Sequence, residues 1–283
     1  MKQLIVNADD FGLHTEINKG IIKGHREGFI TSTSLMCSAP AFDEAVDLAK
    51  TCPKLGIGIH LTLVGGVKPV LPASQVQSLL DDQGLFLDNY VAFAKRYYTG
   101  RVKAVELEKE LRGQIERGLS TGLNITHIDS HQHTHVLPGV SSLVQKLCLE
   151  YGIKRIRIPA EAIGFTGGFE AGLGRKIGRA GLTFCAKLAM VQAHSRLQYP
   201  NYFFGMLAGG NLNVERIAAI LQALPDGVSE IMTHPGLNAE TLDKLFPWHY
   251  HWEEELAAYL AISNKQLLEV KQIKLINFGD LNE

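Results

Sequence analysis

The sequence predicts a single-domain α/β fold: a (β/α) barrel, TIM-like but irregular, with its active site at the strand C-termini. Three observations carry this. Short apolar runs alternate with longer amphipathic ones, as expected for βα units around a mostly parallel sheet. The 283 residues suit one such barrel, which typically needs about 250. The chemically active residues gather at or near predicted strand C-termini, the ends that converge on one face of such a barrel. No internal repeat or linker-like composition interrupts residues 1–283, so one domain is expected.

The element pattern runs in order. Strands are expected at Gln3–Asn7, Thr31–Cys37, Gly56–Leu63, Ile125–Ser130, Arg155–Ile158, Glu230–Thr233 and Lys274–Phe278. Helices are expected at Glu16–Glu27, Ala41–Thr51, Asn89–Tyr98, Val105–Thr121, Val140–Tyr151, Val214–Leu224 and Glu253–Ser263. Two helices in succession, Asn89–Tyr98 and Val105–Thr121, mark an insertion in one unit. Residues 160–204 show poor strand character, and within them the apolar run Leu182–Val191 reads as a buried helix, or as a lid or wall receiving an apolar part of the substrate.

Composition narrows the class. The hydrophobic fraction of 46% and mean hydropathy of +0.03 fit a soluble globular chain. Twenty-eight basic against 29 acidic residues give no support for a nucleic-acid partner. Cys37, Cys52, Cys148 and Cys185 are scattered without a C-x-x-C pair, as expected of buried thiols in a reducing compartment. The N-terminal apolar run is too short for a signal peptide, and no stretch approaches the ~20 apolar residues of a membrane span. A cytoplasmic protein is expected, with peripheral membrane contact left open.

The densest chemical signal is T-H-I-D-S-H-Q-H-T-H-V-L-P, from Thr126 to Pro138. His127, Asp129, His131, His133 and His135 fall at every second position, so an extended strand would present them on one face. Imidazole and carboxylate are natural ligands for a divalent ion. The run favours a metal enzyme without saying which histidines bind, and a solvated polar loop is the plain alternative.

Other positions gain meaning from their strands. Asp9 and Asp10 follow the apolar run L-I-V-N, where two carboxylates are costly unless a cation or donors compensate them. They could divide two tasks, one on a metal and one accepting a proton, or simply cap a helix. In G-I-G-I-H-L-T-L, Ile57, Ile59, Leu61 and Leu63 form an apolar face. His60 lies on the other face, as a ligand or as a hydrogen-bonded core residue. Arg155 and Arg157 share a face; one could orient a carboxylate or bind substrate, and surface pairing is the alternative. His234 ends an apolar strand before Pro235-Gly236, a rigid position for an acid or base, or an exposed turn residue. Trp248, His249, His251 and Trp252 read as a substrate rim or subunit contact.

N-A-D-D-F-G, T-S-T-S-L-M, G-I-H-L-T-L, H-I-D-S-H-Q-H-T-H, R-I-P and T-H-P-G, spread over nearly the whole chain, resemble the YdjC-like carbohydrate deacetylases. That family includes chitooligosaccharide deacetylases and hopanoid-biosynthesis-associated deacetylases. The resemblance implies a hydrolase that removes the acetyl group from an N-acetylated amino sugar and releases acetate. It implies one divalent metal ion, Zn²⁺ or Mg²⁺, on Asp10, His60 and His131. Asp9 would be the general base, Arg157 its orienting partner and His234 the general acid. His127, Asp129, His133 and His135 would support these groups or contact substrate. F-I-T-S-T-S-L-M, P-A-F-D-E-A, Y-F-F-G-M and E-I-M-T-H-P-G resemble the hopanoid-associated branch, while D-S-H also matches the chitooligosaccharide type. The substrate is accordingly expected to be a soluble or lipid-linked amino sugar, and the resemblance implies a homodimer. For a glycolipid, Leu182–Val191 with Tyr202, Phe203 and Phe204 should flank the cleft; those aromatics could equally stack on sugar rings or fill core. A metal-dependent sugar isomerase or phosphoesterase, and a non-catalytic sugar-binding protein, are the competing readings.

Overall fold

The structure, a computed structural model, describes residues 1–193 and 196–281. Its sheet is laid down around β1 (Lys2–Phe11), whose pleat turns Leu4, Val6 and Ala8 toward the helices and Ile5, Asn7 and Asp9 inward. On one side of β1 lie β2 (Ser32–Leu35), β3 (Gly56–Leu61) and β4 (Ile125–Ser130). On the other lie β6 (Gly227–Thr233) and β5 (Tyr202–Phe204), giving the order β4-β3-β2-β1-β6-β5. β7 (Lys274–Leu275) pairs with Gln3 and Leu4, below the point where short β2 begins to pair with β1. Every pairing is parallel.

Ten helices accompany the strands among the described residues: α1 (Thr15–Glu27), α2 (Phe42–Lys50), α3 (Tyr90–Tyr98), α4 (Ala104–Leu119), α5 (Val140–Glu150), α6 (Leu173–Gln192), α7 (Val214–Ala223), α8 (Ala239–Leu245), α9 (Trp252–Leu260) and α10 (Ile262–Val270). Several starts are set by side-chain caps. Asn89 accepts from the Val91 and Ala92 N–H groups, Asn213 from Arg216 and Asn238 from Thr241. The pair α3 and α4 follows β3 without an intervening strand, as expected. No helix among the described residues is long and apolar enough to cross a membrane.

Three features depart from the sequence pattern. The expected strand at Arg155–Ile158 is reduced to isolated bridges, from Ile156 to Ile128 and from Arg155 to Gln198. Pro159 lacks the N–H needed to continue a ladder there. Tyr202–Phe204 is a strand inside the stretch that looked irregular, and the terminal helix is broken into α9 and α10 at Ala261. The parallel sheet is therefore a curled half-barrel of seven strands. Between its edges β4 and β5, the described residues make only single bridges, Glu161–Phe203 among them.

The interior is closed from below by the chain's end. Ile5, Val228, Ile276, Phe278 and Leu281 form a small apolar cluster separate from the main core. The His127 ring stacks on Phe278 at a centroid distance of 3.8 Å and 14° between planes. Gly58 makes this possible, since a Cβ there would lie 2.3 Å from His127 Nε2. Phe278→Ala should cost about 3–5 kcal/mol of stability in urea denaturation. A loss below about 1 kcal/mol would show that the plug is not close-packed.

Candidate active site

Adjacent residues on a strand normally face opposite ways, yet Asp9 and Asp10 both turn into the barrel. A bulge does this. Ala8 pairs with Thr33 and Phe11 with Leu35, so two aspartates oppose the single residue Ser34. Asp10 takes the left-handed conformation, φ 66°, which re-aims its carboxylate beside that of Asp9. Such a conformation in a non-glycine residue costs on the order of 1 kcal/mol or more and persists where surrounding contacts fix it.

Arg157 is the fully buried centre of the polar interior. Nη1 and Nη2 donate to the two carboxylate oxygens of Asp9, each at 2.7 Å. Nη1 also lies 2.8 Å from Asp129 Oδ2, and Nε donates to Glu230 Oε1 at 2.7 Å. Asn7 donates to Asp9 Oδ1 and to Ser34 Oγ, and Ser34 donates to Asp129 Oδ2. Burial opposes charge on Asp129, but Arg157 and His60 hold its carboxyl well below the usual range.

His60 reaches inward from β3. Its Nδ1 lies 2.7 Å from Asp129 Oδ1, while Nε2 lies 3.4 Å from Asp10 Oδ1 and 3.9 Å from Asp9 Oδ2. Burial lowers its pKa, but Asp129 and Asp9 more than offset this, and the imidazole is pushed up to about 10. His131 Nδ1 sits 2.9 Å from Asp10 Oδ1. Burial raises the Asp10 carboxyl, yet His131 and His60 hold it well below the ordinary carboxylate value.

The histidine run does not stay extended. β4 ends at Ser130, and Gln132 and His133 take φ values of 50° and 57°, turning the chain. The five alternate residues therefore part company, contrary to a single continuous face. His127 and Asp129 point into the interior and His131 reaches the site from the turn. His135 is held between Ser130 Oγ at 2.6 Å and the Arg157 carbonyl at 3.0 Å. His133 packs edge-on to Phe203 with its Nδ1 buried and unpartnered. Burial keeps His127, His133 and His135 neutral, with His127 down to about 3 and His135 to about 4.

One ligand atom each from Asp10, His60 and His131 lies within 4.8 Å of the others, and all three residues are buried. Asp10 Oδ2 and His131 Nε2 have no hydrogen-bond partner. Orphaned buried atoms on one carboxylate and one imidazole, beside the His60 Nε2 that faces the same carboxylate, fit a divalent ion. Asp9, His60 and Asp129 are equally close, but Arg157 already engages both aspartates. The first trio fits better.

These groups meet a cavity of about 360 Å³, lined among others by Asp9, His131, His133, His234 and Trp248. His234 presents an unpartnered, buried Nδ1 and packs against Tyr250 at 4.8 Å. Its backbone N–H donates to Glu255 Oε2 at 2.6 Å, and Thr233 Oγ1 donates to the same oxygen at 2.7 Å.

The model of the family described as YdjC-like protein matches residues 3–270. The chain belongs to the YdjC-like family. Curated relatives named carbohydrate deacetylase include one from Brevibacillus brevis, 35% identical over 99% of both chains. Another, from Clostridium beijerinckii, is 32% identical over 99% of this chain and 100% of its own. A crystal structure from Enterococcus faecalis, provisionally described as a cellobiose-phosphate cleavage protein, superposes with a TM-score of 0.77. It is 26% identical and covers 98% of this chain and 97% of its own.

Several residues of this YdjC-like protein sit elsewhere than the sequence suggested. Trp252 is fully buried core, whereas Trp248 borders the cavity. Of Leu182–Val191, only Leu182 lines the cavity, while Phe184, Leu188 and Val191 are exposed on α6. Phe203 and Phe204 are buried, in keeping with the core reading, with Phe203 backing His133 and Arg157, whereas Tyr202 is exposed. Asn7, Ser34, Glu230 and Glu255 carry essential hydrogen bonds without any spacing signal that marks them.

Glu230 supplies a pH test. Burial pushes its carboxyl up to about 7, with Arg157 opposing the rise and Asp129 and Asp9 adding to it. A folded pKa above the ordinary 4.5 gives a stabilising contribution that is full below that pH and lost as pH rises through 7. Non-titrating Glu230→Gln should therefore gain on the native protein by up to about 1.4 kcal/mol per pH unit between pH 5 and 7. Urea denaturation at both pH values measures this, and parallel pH dependence in the two proteins would contradict it.

Proposed function

We propose that this chain, as one domain over residues 1–283, is a metal-dependent carbohydrate deacetylase. It removes the acetyl group from an N-acetylated amino sugar and releases acetate. The observation that carries the reading is the trio Asp10, His60 and His131 with its orphaned atoms on Asp10 and His131, where His131 and Asp9 line the cavity that His234 also lines. The family membership and the names of the relatives support it.

Amide hydrolysis needs a nucleophilic oxygen, stabilisation of the carbonyl oxygen and protonation of a poor amine leaving group. A divalent ion, Zn²⁺ or Mg²⁺, on Asp10, His60 and His131 would polarise the acetyl carbonyl and acidify water. Asp9 takes the proton of the attacking water. Arg157 and Asn7 fix that carboxylate's plane by three hydrogen bonds. Asp129 holds His60 by its Nδ1, leaving Nε2 directed at Asp10. His234 delivers a proton to the departing nitrogen as the carbon–nitrogen bond breaks. Its Glu255 anchor and the Tyr250 ring keep it in place. His133 contacts substrate, while His127 and His135 hold the interior in shape.

Acetate release from N-acetylglucosaminides, abolished by a chelator and restored by added metal, tests the reading. Release of phosphate or formation of an isomer, without acetate, would favour the phosphoesterase or isomerase instead. Metal-dependent saturable binding without turnover would indicate a sugar-binding protein. Asp9→Asn should retain metal binding and lose acetate release, and His131→Ala should lose both. His234→Asn should lower kcat by roughly 10²–10⁴-fold. Full activity in any of these variants would overturn the corresponding role. A homodimer in a cytoplasmic setting goes with this reading, and light scattering of the purified protein checks the dimer.

A further inference from the structure

Four rings follow one another along the wall of the catalytic cavity. His131 of the trio lies 5.5 Å from Trp248, Trp248 lies 5.5 Å from Tyr250, and Tyr250 lies 4.8 Å from His234. All four line the same cavity. The arc runs from the residues that fit a metal to the proposed acid. Tyr250, inside it, carries a hydroxyl that no step of the hydrolysis uses.

Packing holds this ring in place. Trp252, fully buried, lies against it at 5.0 Å. Gly210 has φ 77°, and a Cβ there would run into the Tyr250 ring. His251, the next residue, donates its backbone N–H to the Gly210 carbonyl at 2.7 Å. Among the described residues the Tyr250 hydroxyl makes no hydrogen bond. Other donors on the same wall are already committed. Gln132 Nε2 donates to the Asp88 carbonyl at 3.3 Å, and Arg175 donates to that of Gly209. The Tyr90 hydroxyl lies against α6, where a Cβ on Gly178 would be 2.8 Å from it. Burial pushes the Tyr250 phenol well above its ordinary pKa, and Asp10 and Glu255 add to the rise against Arg175. The O–H therefore keeps its proton and can donate. A carbonyl oxygen that gains negative charge is the acceptor that such a fixed donor stabilises most.

We propose that Tyr250 is a further catalytic residue, its phenol O–H donating to the acetyl carbonyl oxygen as that oxygen takes up charge. When the water oxygen bonds to the carbonyl carbon, Asp9 takes a water proton and the carbonyl π pair moves onto its oxygen. The phenol hydrogen bond tightens there without transfer of its proton. The pair returns as the carbon–nitrogen bond breaks, and the proton from His234 goes to the departing nitrogen. The role rests on the deacetylase reading and deepens it. A hydroxyl bonded only to the sugar would serve ground and transition states alike, so kcat and KM separate the two cases.

The experiment measures acetate release from an N-acetylglucosaminide, and trifluoroacetate release from its N-trifluoroacetyl counterpart, by the native protein and by Tyr250→Phe. Phenylalanine keeps the ring and its packing. On the acetyl substrate kcat should fall roughly 10²–10³-fold, with KM within about threefold of native. The trifluoromethyl group itself withdraws charge from the oxygen, so the loss on that substrate should be about tenfold smaller. Because the comparison of substrates is internal to each protein, partial misfolding cancels from it. Equal losses on the two substrates would mean that the hydroxyl acts only by placing His234, and would overturn the role. A kcat within about threefold of native, or a change confined to KM, also overturns it. When the native protein releases acetate and the variant matches it, the role alone fails. If the native protein with Zn²⁺ or Mg²⁺ releases no acetate from any N-acetylated sugar, the deacetylase reading fails and takes the role with it.

Discussion

One buried guanidinium organises this molecule. Arg157 comes from the segment that replaces a regular strand between β4 and β5, and it ties β1, β4 and β6 together through Asp9, Asp129 and Glu230. Each bond is charge-assisted and short, and the contact with Asp9 is two-pronged. Where the sheet lacks a continuous backbone ladder, a side chain spans the interior. Removing that side chain would leave three carboxylates buried beside one another, a loss of about 3–5 kcal/mol or more by comparison with other broken buried pairs. The same arginine fixes the plane of Asp9. Folding and site geometry therefore depend on the same hydrogen bonds.

The interior is graded from bottom to top. Phe278 and its apolar neighbours close the lower end, His127 stacks above them, and the hydrogen-bonded layer of Asn7, Ser34, Asp129 and Arg157 follows. At the top are Asp9, Asp10, His60 and His131. Four carboxylates, Asp9, Asp10, Asp129 and Glu230, surround one guanidinium and the His60 imidazole. That excess of negative charge explains why His60 is pushed up, and it adds to burial, the larger cause, in making the Glu230 carboxyl resist ionisation. A divalent cation would relieve the imbalance at the trio with orphaned atoms. Charge and geometry point to the same place.

Much of this order was legible in the sequence where a strand has one apolar face. β4 was delimited residue for residue as Ile125–Ser130, and the alternation in Gly56–Leu61 placed His60 inward. The adjacency of Asp9 and Asp10 was visible, but the bulge that aims both inward was not. Its cause lies in pairing with β2, which a local pattern does not encode. The alternation of the histidine run suggested one face continuing past the end of β4, because residue type carries the period while φ decides where it stops. Arg157 was singled out, whereas Glu230 and Glu255 were not. Each is one acid among many until folding carries it beneath a particular donor. Trp248 and Trp252 look alike in sequence, four residues apart. Packing makes Trp252 fully buried core and leaves Trp248 at the edge of the cavity.

The chain between β6 and α9 carries His234, Trp248 and Tyr250 to one cavity. His234 begins it, Trp248 and Tyr250 stand near its end, and Trp252 anchors it in the core. Glu255 pins its start by accepting from Thr233 and His234, and its other oxygen accepts from Leu212 N–H. Tyr250 then packs on both His234 and Trp248. His234 and the Trp248 ring, held on one doubly anchored segment, keep a fixed spacing. Under the proposed deacetylase reading, a substrate in the cavity that both residues line would be registered against His234 by the same contacts that hold the segment down, and orientation of this kind lowers the barrier without further chemical groups. The buried Glu255 carboxylate, remote in sequence from Asp10, His60 and His131, belongs to that alignment.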